Sequence, residues 1–178
     1  PSDTSVCVDE PAFELTGATP SNGVYSGNGV DQGWFYPAQA QIGDNLITYT
    51  YTDANTCVNT CVFTVHVDSL PKVSCPDSFA VCLSDPAFTL SGGMPAGGTF
   101  SGPGVTSNVF NPDVAQVGTH TITYRYEDGN GCINSCTFPL TVNPLPVVSC
   151  GNDTALCIDE PAFMLYQGSP AGGTYSGA

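Results

Sequence analysis

The positions of the cysteines constrain this chain more than any other feature. Cys7, Cys82 and Cys157 stand 75 residues apart, and the same interval separates Cys57 from Cys132, Cys61 from Cys136 and Cys75 from Cys150. Aligned without a gap, residues 1–75 and 76–150 are identical at 35 of 75 positions. A fixed long period of this kind marks a tandem array in which one supersecondary unit is repeated. The phrase "VCVDEPAFELTGATPSNGVYSG" returns as "VCLSDPAFTLSGGMPAGGTFSG" and again as "LCIDEPAFMLYQGSPAGGTYSG". The expected units are residues 1–72, 73–147 and 148–178, the last an incomplete copy.

A 75-residue unit is close to the size at which an apolar core alone is marginal, so covalent staples are expected. Nine cysteines at regular spacing point to an oxidising, extracellular or cell-surface location. Lys72 and Arg125 are the only basic residues against sixteen acidic ones, a formal charge of -14. Nucleic-acid partners are excluded, because phosphate neutralisation needs clustered Lys and Arg. Insertion into a membrane is not expected either, since the longest apolar runs are only a few residues. No leader is visible, and the expectation is that a targeting segment has been removed or that the chain is an excerpt of a longer polypeptide.

Within each unit the hydrophobic period is two. Ile122, Tyr124 and Tyr126 alternate with Thr121, Thr123 and Arg125, as Ile47, Tyr49 and Tyr51 do with Thr48, Thr50 and Thr52. The following "EDGNGC" is a turn, so residues 118–143 are predicted to form a long hairpin. Shorter strands are expected at "FAVC", "AFTL", "GTFSG" and "NVFNP", and no segment carries a helical pattern. The predicted fold is therefore all-β: tandem immunoglobulin-like β-sandwich repeats of about 75 residues, each of six or seven short antiparallel strands, stapled by disulfides. A β-solenoid is the rival, but its rungs need a far shorter period.

In such a sandwich the first strand runs beside the last. That neighbourhood suggests the pairings Cys7–Cys57, Cys82–Cys132 and Cys75–Cys136, with Cys75–Cys132 and Cys82–Cys136 as the crossed alternative. Cys61–Cys75 is rejected, because the extended chain between them holds their Cα atoms far beyond the roughly 7 Å a disulfide spans. This scheme assigns the partners of Cys61, Cys150 and Cys157 to polypeptide outside residues 1–178. A zinc site built on Cys132 and Cys136 is the competing use of the thiols.

No enzymatic constellation is expected. "GGTFSGPG" matches neither a phosphate-binding loop nor a nucleophile elbow. His66 and His120 occupy unrelated repeat positions, aligned with Thr141 and Asn45. Asp53 and Asp128 open the hairpin turns and are candidate Ca²⁺ ligands, against the simpler reading that Asp and Asn are there to shape the turn. No other cofactor is expected. Trp34 aligns with Val109 and is expected to pack rather than bind a sugar.

"LPVVSC", "PAFTLSGGMPAGGTFSGPGV", "FNPDVAQVGTHTITYRYEDGNGC" and "SCTFPLTVNPLP" resemble the tandem immunoglobulin-like repeats, akin to hyalin-type and PKD-like modules, of giant secreted surface proteins of Bacteroidetes. The resemblance covers essentially the whole chain. It implies an adhesin, gliding filament or matrix component, and O-glycosylation where Asp precedes Ser or Thr and an apolar residue. Asp68-Ser69-Leu70 and Asp153-Thr154-Ala155 fit that pattern, giving Ser69 and Thr154; Thr4 occupies the equivalent repeat position with Ser5 in the third place. The expected function is a structural repeat segment that supplies reach and durability, its partners being neighbouring repeats, other copies in a filament and covalent O-glycans. A glycan-binding module is the alternative. Strand complementation between identical chains is not expected, because the N-terminal region has no spare strands to complete the third unit.

Overall fold

The computed structural model of the protein describes residues 3–177; Pro1, Ser2 and Ala178, at the outer limits of the first and third units, lie outside the described residues. The first unit contains β1 (Thr4–Cys7), β2 (Phe13–Glu14), β3 (Val24–Gly27), β4 (Val30–Asp31), β5 (Trp34–Phe35), β6 (Gly43–Thr52) and β7 (Val58–Asp68). The second repeats the series with β8 (Phe79–Cys82), β9 (Phe88–Thr89), β10 (Thr99–Ser101), β11 (Val105–Thr106), β12 (Val109–Phe110), β13 (Gly118–Glu127) and β14 (Ile133–Asn143). Each unit has a four-stranded sheet, β1-β7-β6-β3 or β8-β14-β13-β10, and a three-stranded sheet, β2-β5-β4 or β9-β12-β11. The predicted all-β, immunoglobulin-like class is the observed one.

The long hairpin organises each unit. In β13 and β14 the alternation places Ile122, Tyr124, Phe138, Leu140 and Val142 inward, where they meet Leu90, Phe100 and Phe110 in one buried cluster. The first unit packs Ile47, Phe63, Val65 and Val67 against Leu15 and Phe35 in the same way. Aromatic edges lock the second core: Phe100 lies 4.7 Å from Tyr124 and meets Phe138 edge-on at 6.2 Å, centroid to centroid.

Two helical turns interrupt the strands, and local sequence decides their form. In "NPDVA" the Asn111 side chain accepts from the Asp113 amide and Pro112 occupies the first helical position, giving α1 (Pro112–Ala115). The equivalent "YPAQA" has Tyr36, with no side-chain cap, and forms only a 3₁₀ turn at Pro37–Gln39.

The expectation of antiparallel strands throughout is corrected at the first strand of each unit. β1 pairs with β7, and β8 with β14, in parallel, so that Cys7 sits opposite Asp68 and Cys82 opposite Asn143. The first strand therefore ends where the last strand ends. The third unit has no strand among its described residues; one bridge, Ser149 to Ser169, repeats the Ser74–Met94 bridge of the second unit.

The recurring "PAGG" or "PSNG" phrase gains its role from the inward tyrosine. Tyr124 Oη donates to the Pro95 carbonyl and accepts from the Gly98 amide, and Tyr49 does the same with Pro20 and Gly23. A Cβ on Gly98 would meet Tyr124 Cζ at 2.4 Å, so only glycine permits this approach. Tyr124→Phe is expected to destabilise the protein by about 2 kcal/mol, because it strands the Gly98 amide. Tyr126→Phe, whose hydroxyl takes no part in these bonds, should be near neutral in the same denaturant unfolding measurement.

Candidate functional site: the junction between repeats

The chemistry of this chain is concentrated where the two units meet. Cys7, at the end of β1, is bonded to Cys132, at the start of the descending arm of the second hairpin, with a Cα separation of 5.6 Å. Cys75, in the linker, is bonded to Cys136 on β14 with a Cα separation of 5.8 Å. The junction thus carries one bond between units and one that ties the linker to the unit it enters.

The expected pairings Cys7–Cys57 and Cys82–Cys132 are corrected by this arrangement. Parallel pairing puts Cys7 level with Asp68, whereas Cys57 precedes Val58 at the other end of the 11-residue β7. At about 3.3 Å per residue those ends are on the order of 35 Å apart, beyond any disulfide. Cys82 and Cys132 are separated by β14 in the same manner. The crossed alternative, Cys75–Cys132 with Cys82–Cys136, is absent: Cys75 is bonded to Cys136 and Cys132 to Cys7, while Cys82 lies opposite Asn143, farther along β14 from Cys136. Cys57, Cys61, Cys82, Cys150 and Cys157 are free and exposed. The zinc alternative fails at Cys132 and Cys136 because each holds a different disulfide partner.

A carboxylate shapes the turn that presents Cys132. Asp128 Oδ1 accepts from the Asn130 amide at 3.0 Å and from the Cys132 amide at 2.9 Å. Asn130 then donates through Nδ2 to Asp68 Oδ1 of the first unit at 2.9 Å, and Asn134 Nδ2 donates to the Pro71 carbonyl at 2.9 Å. On the receiving side Ser5 Oγ donates to Asp68 Oδ2 at 2.9 Å. Two amide donors and a disulfide sulfur on one hairpin thus meet a carboxylate, a carbonyl and the partner sulfur at the foot of the preceding unit.

The Ca²⁺ candidates Asp53 and Asp128 each shape a turn by accepting two backbone amides through Oδ1. Asp53 Oδ1 accepts from the amides of Asn55 and Cys57, both at 2.8 Å, and these bonds hold its carboxyl below the ordinary carboxylate range. Among the described residues no group of three His, Cys, Asp or Glu side chains stands together. The turn-forming role is what the geometry supports.

The remaining singled-out residues are dispersed. Trp34 is not packed inside: it is 43% exposed, because Phe35 takes the inward position of the two-residue β5. Thr4, Ser69 and Thr154 are all exposed, Ser69 directly beside the junction residue Asp68. His66 lies on the outer face of β7 between Asp44 and Asp68. Hydrogen bonding to Asp44, then the charges of Asp44 and Asp68, raise its pKa. Sequence reasoning missed Asn130, Asn134 and Asp68. The asparagines recur as Asn55 and Asn59, which is the signal that marks them.

Residues 68–142 match the family model of the HYR domain. The matched span equals one repeat period and takes in the linker together with the body of the second unit. The HYR domain is an immunoglobulin-like extracellular repeat associated with adhesion, and is not an enzyme family. Comparison with curated proteins finds no significant match. No helix among the described residues is long and apolar enough to cross a membrane.

The junction predicts two measurable effects. Closing 125 residues with Cys7–Cys132 stabilises the folded pair by about 5 kcal/mol in the loop-entropy model, so Cys7→Ser/Cys132→Ser should lower the unfolding midpoint clearly, while Asn130→Ala should cost only about 1 kcal/mol. Because the folded pKa of His66 is raised, its stabilising effect is present below about pH 6.5 and is lost as pH rises through the folded value. The thermal-midpoint difference between the native protein and His66→Asn should therefore be larger at about pH 5.5 than at about pH 8.5.

Proposed function

We propose that this chain is a tension-carrying spacer in an extracellular adhesin or surface filament, of the kind its sequence resembles in Bacteroidetes. The observation that carries this reading is the route of the covalent bonds through the two units. Cys75–Cys136 removes residues 76–135 from the shortest covalent path, leaving β14 and the following linker to carry force toward Cys150. β14 is already near full extension, so pulling along it finds little slack to release.

The Cys7–Cys132 bond adds a second bypass around the linker, joining the first strand of one unit to the last hairpin of the next. Pro71 restricts the same linker from within. A surface of mixed acidic and uncharged polar residues surrounds this skeleton. Exposed Ser69, Thr154 and Thr4 are the proposed positions of O-glycans, which would shield the linker at Ser69; an intact mass equal to the bare polypeptide of the natively produced protein would remove that part.

A second reading, glycan binding, is favoured by the outward face of Trp34. Titration of the protein with cell-surface glycans separates the two, since a passive spacer shows no saturable quench of tryptophan fluorescence.

Single-molecule pulling between the termini tests the main reading. With both bonds intact the covalent path runs through residues 1–7 and 132–178, a contour of about 190 Å, against about 620 Å for the reduced 178-residue chain. The expected result is a limit near the shorter length that reductant removes. Extension to the longer length without reductant would overturn the proposal.

A further inference from the structure

The outer face of the small sheet in the first unit carries a row of side chains that its repeat copy lacks. In β2-β5-β4 the antiparallel register sets Trp34 opposite Glu14 on one side and opposite Asp31 on the other. Phe13, Val30 and Phe35 pack onto the core, so Glu14, Trp34 and Asp31 all face solvent. The matching row of the second unit is Thr89, Val109 and Thr106. Three residues change together, from small and neutral to an indole between two carboxylates. Neither neighbour of a unit covers this face. The first unit is bonded to the unit that follows it and leaves Trp34 43% exposed, while the second is bonded to the unit that precedes it and leaves Val109 36% exposed.

The row is rigidly held. Gln32 and Gly33, with φ of 48° and 85°, form a two-residue turn that fixes Asp31 beside Trp34. The Leu15 amide donates to the Gly33 carbonyl at 2.8 Å and so holds Glu14 against the same hairpin, above the fully buried Phe35. Directly opposed residues on one face have Cβ atoms about 5 Å apart, so each carboxylate borders the indole. Among the described residues no Lys, Arg or His forms an ion pair with Glu14 or Asp31.

The face of an indole attracts a cation through its quadrupole. A guanidinium lying flat on that face directs its N–H groups outward in its own plane, where carboxylates on both sides accept them. An ammonium lacks that plane, and a neutral sugar uses the indole without the charges. We infer that the Glu14–Trp34–Asp31 row is a docking site for an arginine side chain on a basic segment of another polypeptide. A second copy of this chain does not fit the role. Each copy carries a formal charge of -14, and of its two basic residues Arg125 is already paired with Glu127 at 3.3 Å. The inference rests on this row and not on the tension-carrying reading.

The test is titration of the 178-residue chain with a blocked glycyl-arginyl-glycine peptide, followed by the fluorescence and the indole N–H resonance of Trp34, the single tryptophan. A saturable change that weakens as salt is raised is expected. Exchanging the peptide's arginine for citrulline, which keeps the plane and loses the charge, should weaken binding about tenfold, and exchanging it for lysine about threefold. Glu14→Gln/Asp31→Asn keeps the indole and the shape of the row and should also weaken binding about tenfold, with an unchanged unfolding midpoint as the check on folding. Absence of a saturable change would overturn the inference, as would equal binding of the citrulline or lysine peptide, or indifference to the Glu14 and Asp31 replacements. A response to a neutral hexose and none to the arginine peptide would also overturn it, and is the result that the glycan reading expects.

Discussion

The parallel pairing of the first and last strands is the constraint on which the rest of this structure depends. It brings Cys7 to the foot of the first unit while the hairpin cysteine of that unit, Cys57, stays at the head. A bond within the unit is then geometrically impossible, and the nearest hairpin head is that of the following unit. Cys7–Cys132 follows from strand direction. The same pairing is stabilised by ordinary sandwich physics, with Val6 and Val81 packing onto the two cores from the parallel strands.

Covalent continuity between units changes what a small repeat needs from its core. A 75-residue sandwich has a limited apolar interior, and two long-range bonds around one junction contribute on the order of 4–5 kcal/mol each by restricting the unfolded chain. Unfolding of one unit is thereby coupled to its neighbour. The polar contacts of Asn130 and Asn134 are individually worth about 1 kcal/mol, too little to hold two units, but they orient the hairpin so that its thiol meets Cys7. Position comes from hydrogen bonds and durability from sulfur.

Much of the fold is legible in the residues. The alternation of Ile122, Tyr124 and Tyr126 extends far enough to define a strand, and the DGNG turn fixes the hairpin register that β13 and β14 adopt. The cysteine period marks the unit length. Strand direction is not legible, because a two-residue alternation reads the same for parallel and antiparallel neighbours. The short β2, β4, β5 and their counterparts likewise owe their existence to contacts with the opposite sheet, and the outward turn of Trp34 follows from such a contact at Phe35. The site suffers from the same gap. Once each unit is assumed to close its own disulfides, Cys7 points to Cys57, and the asparagines that guide the true bond pass for turn residues.

The most direct test of the account is a proteolytic peptide map of the protein produced under oxidising conditions and kept unreduced. The account predicts a cross-linked peptide containing Cys7 and Cys132, beside one containing Cys75 and Cys136. Recovery of Cys7 joined to Cys57, or of Cys82 joined to Cys132, would show that each repeat closes on itself and would contradict the covalent junction.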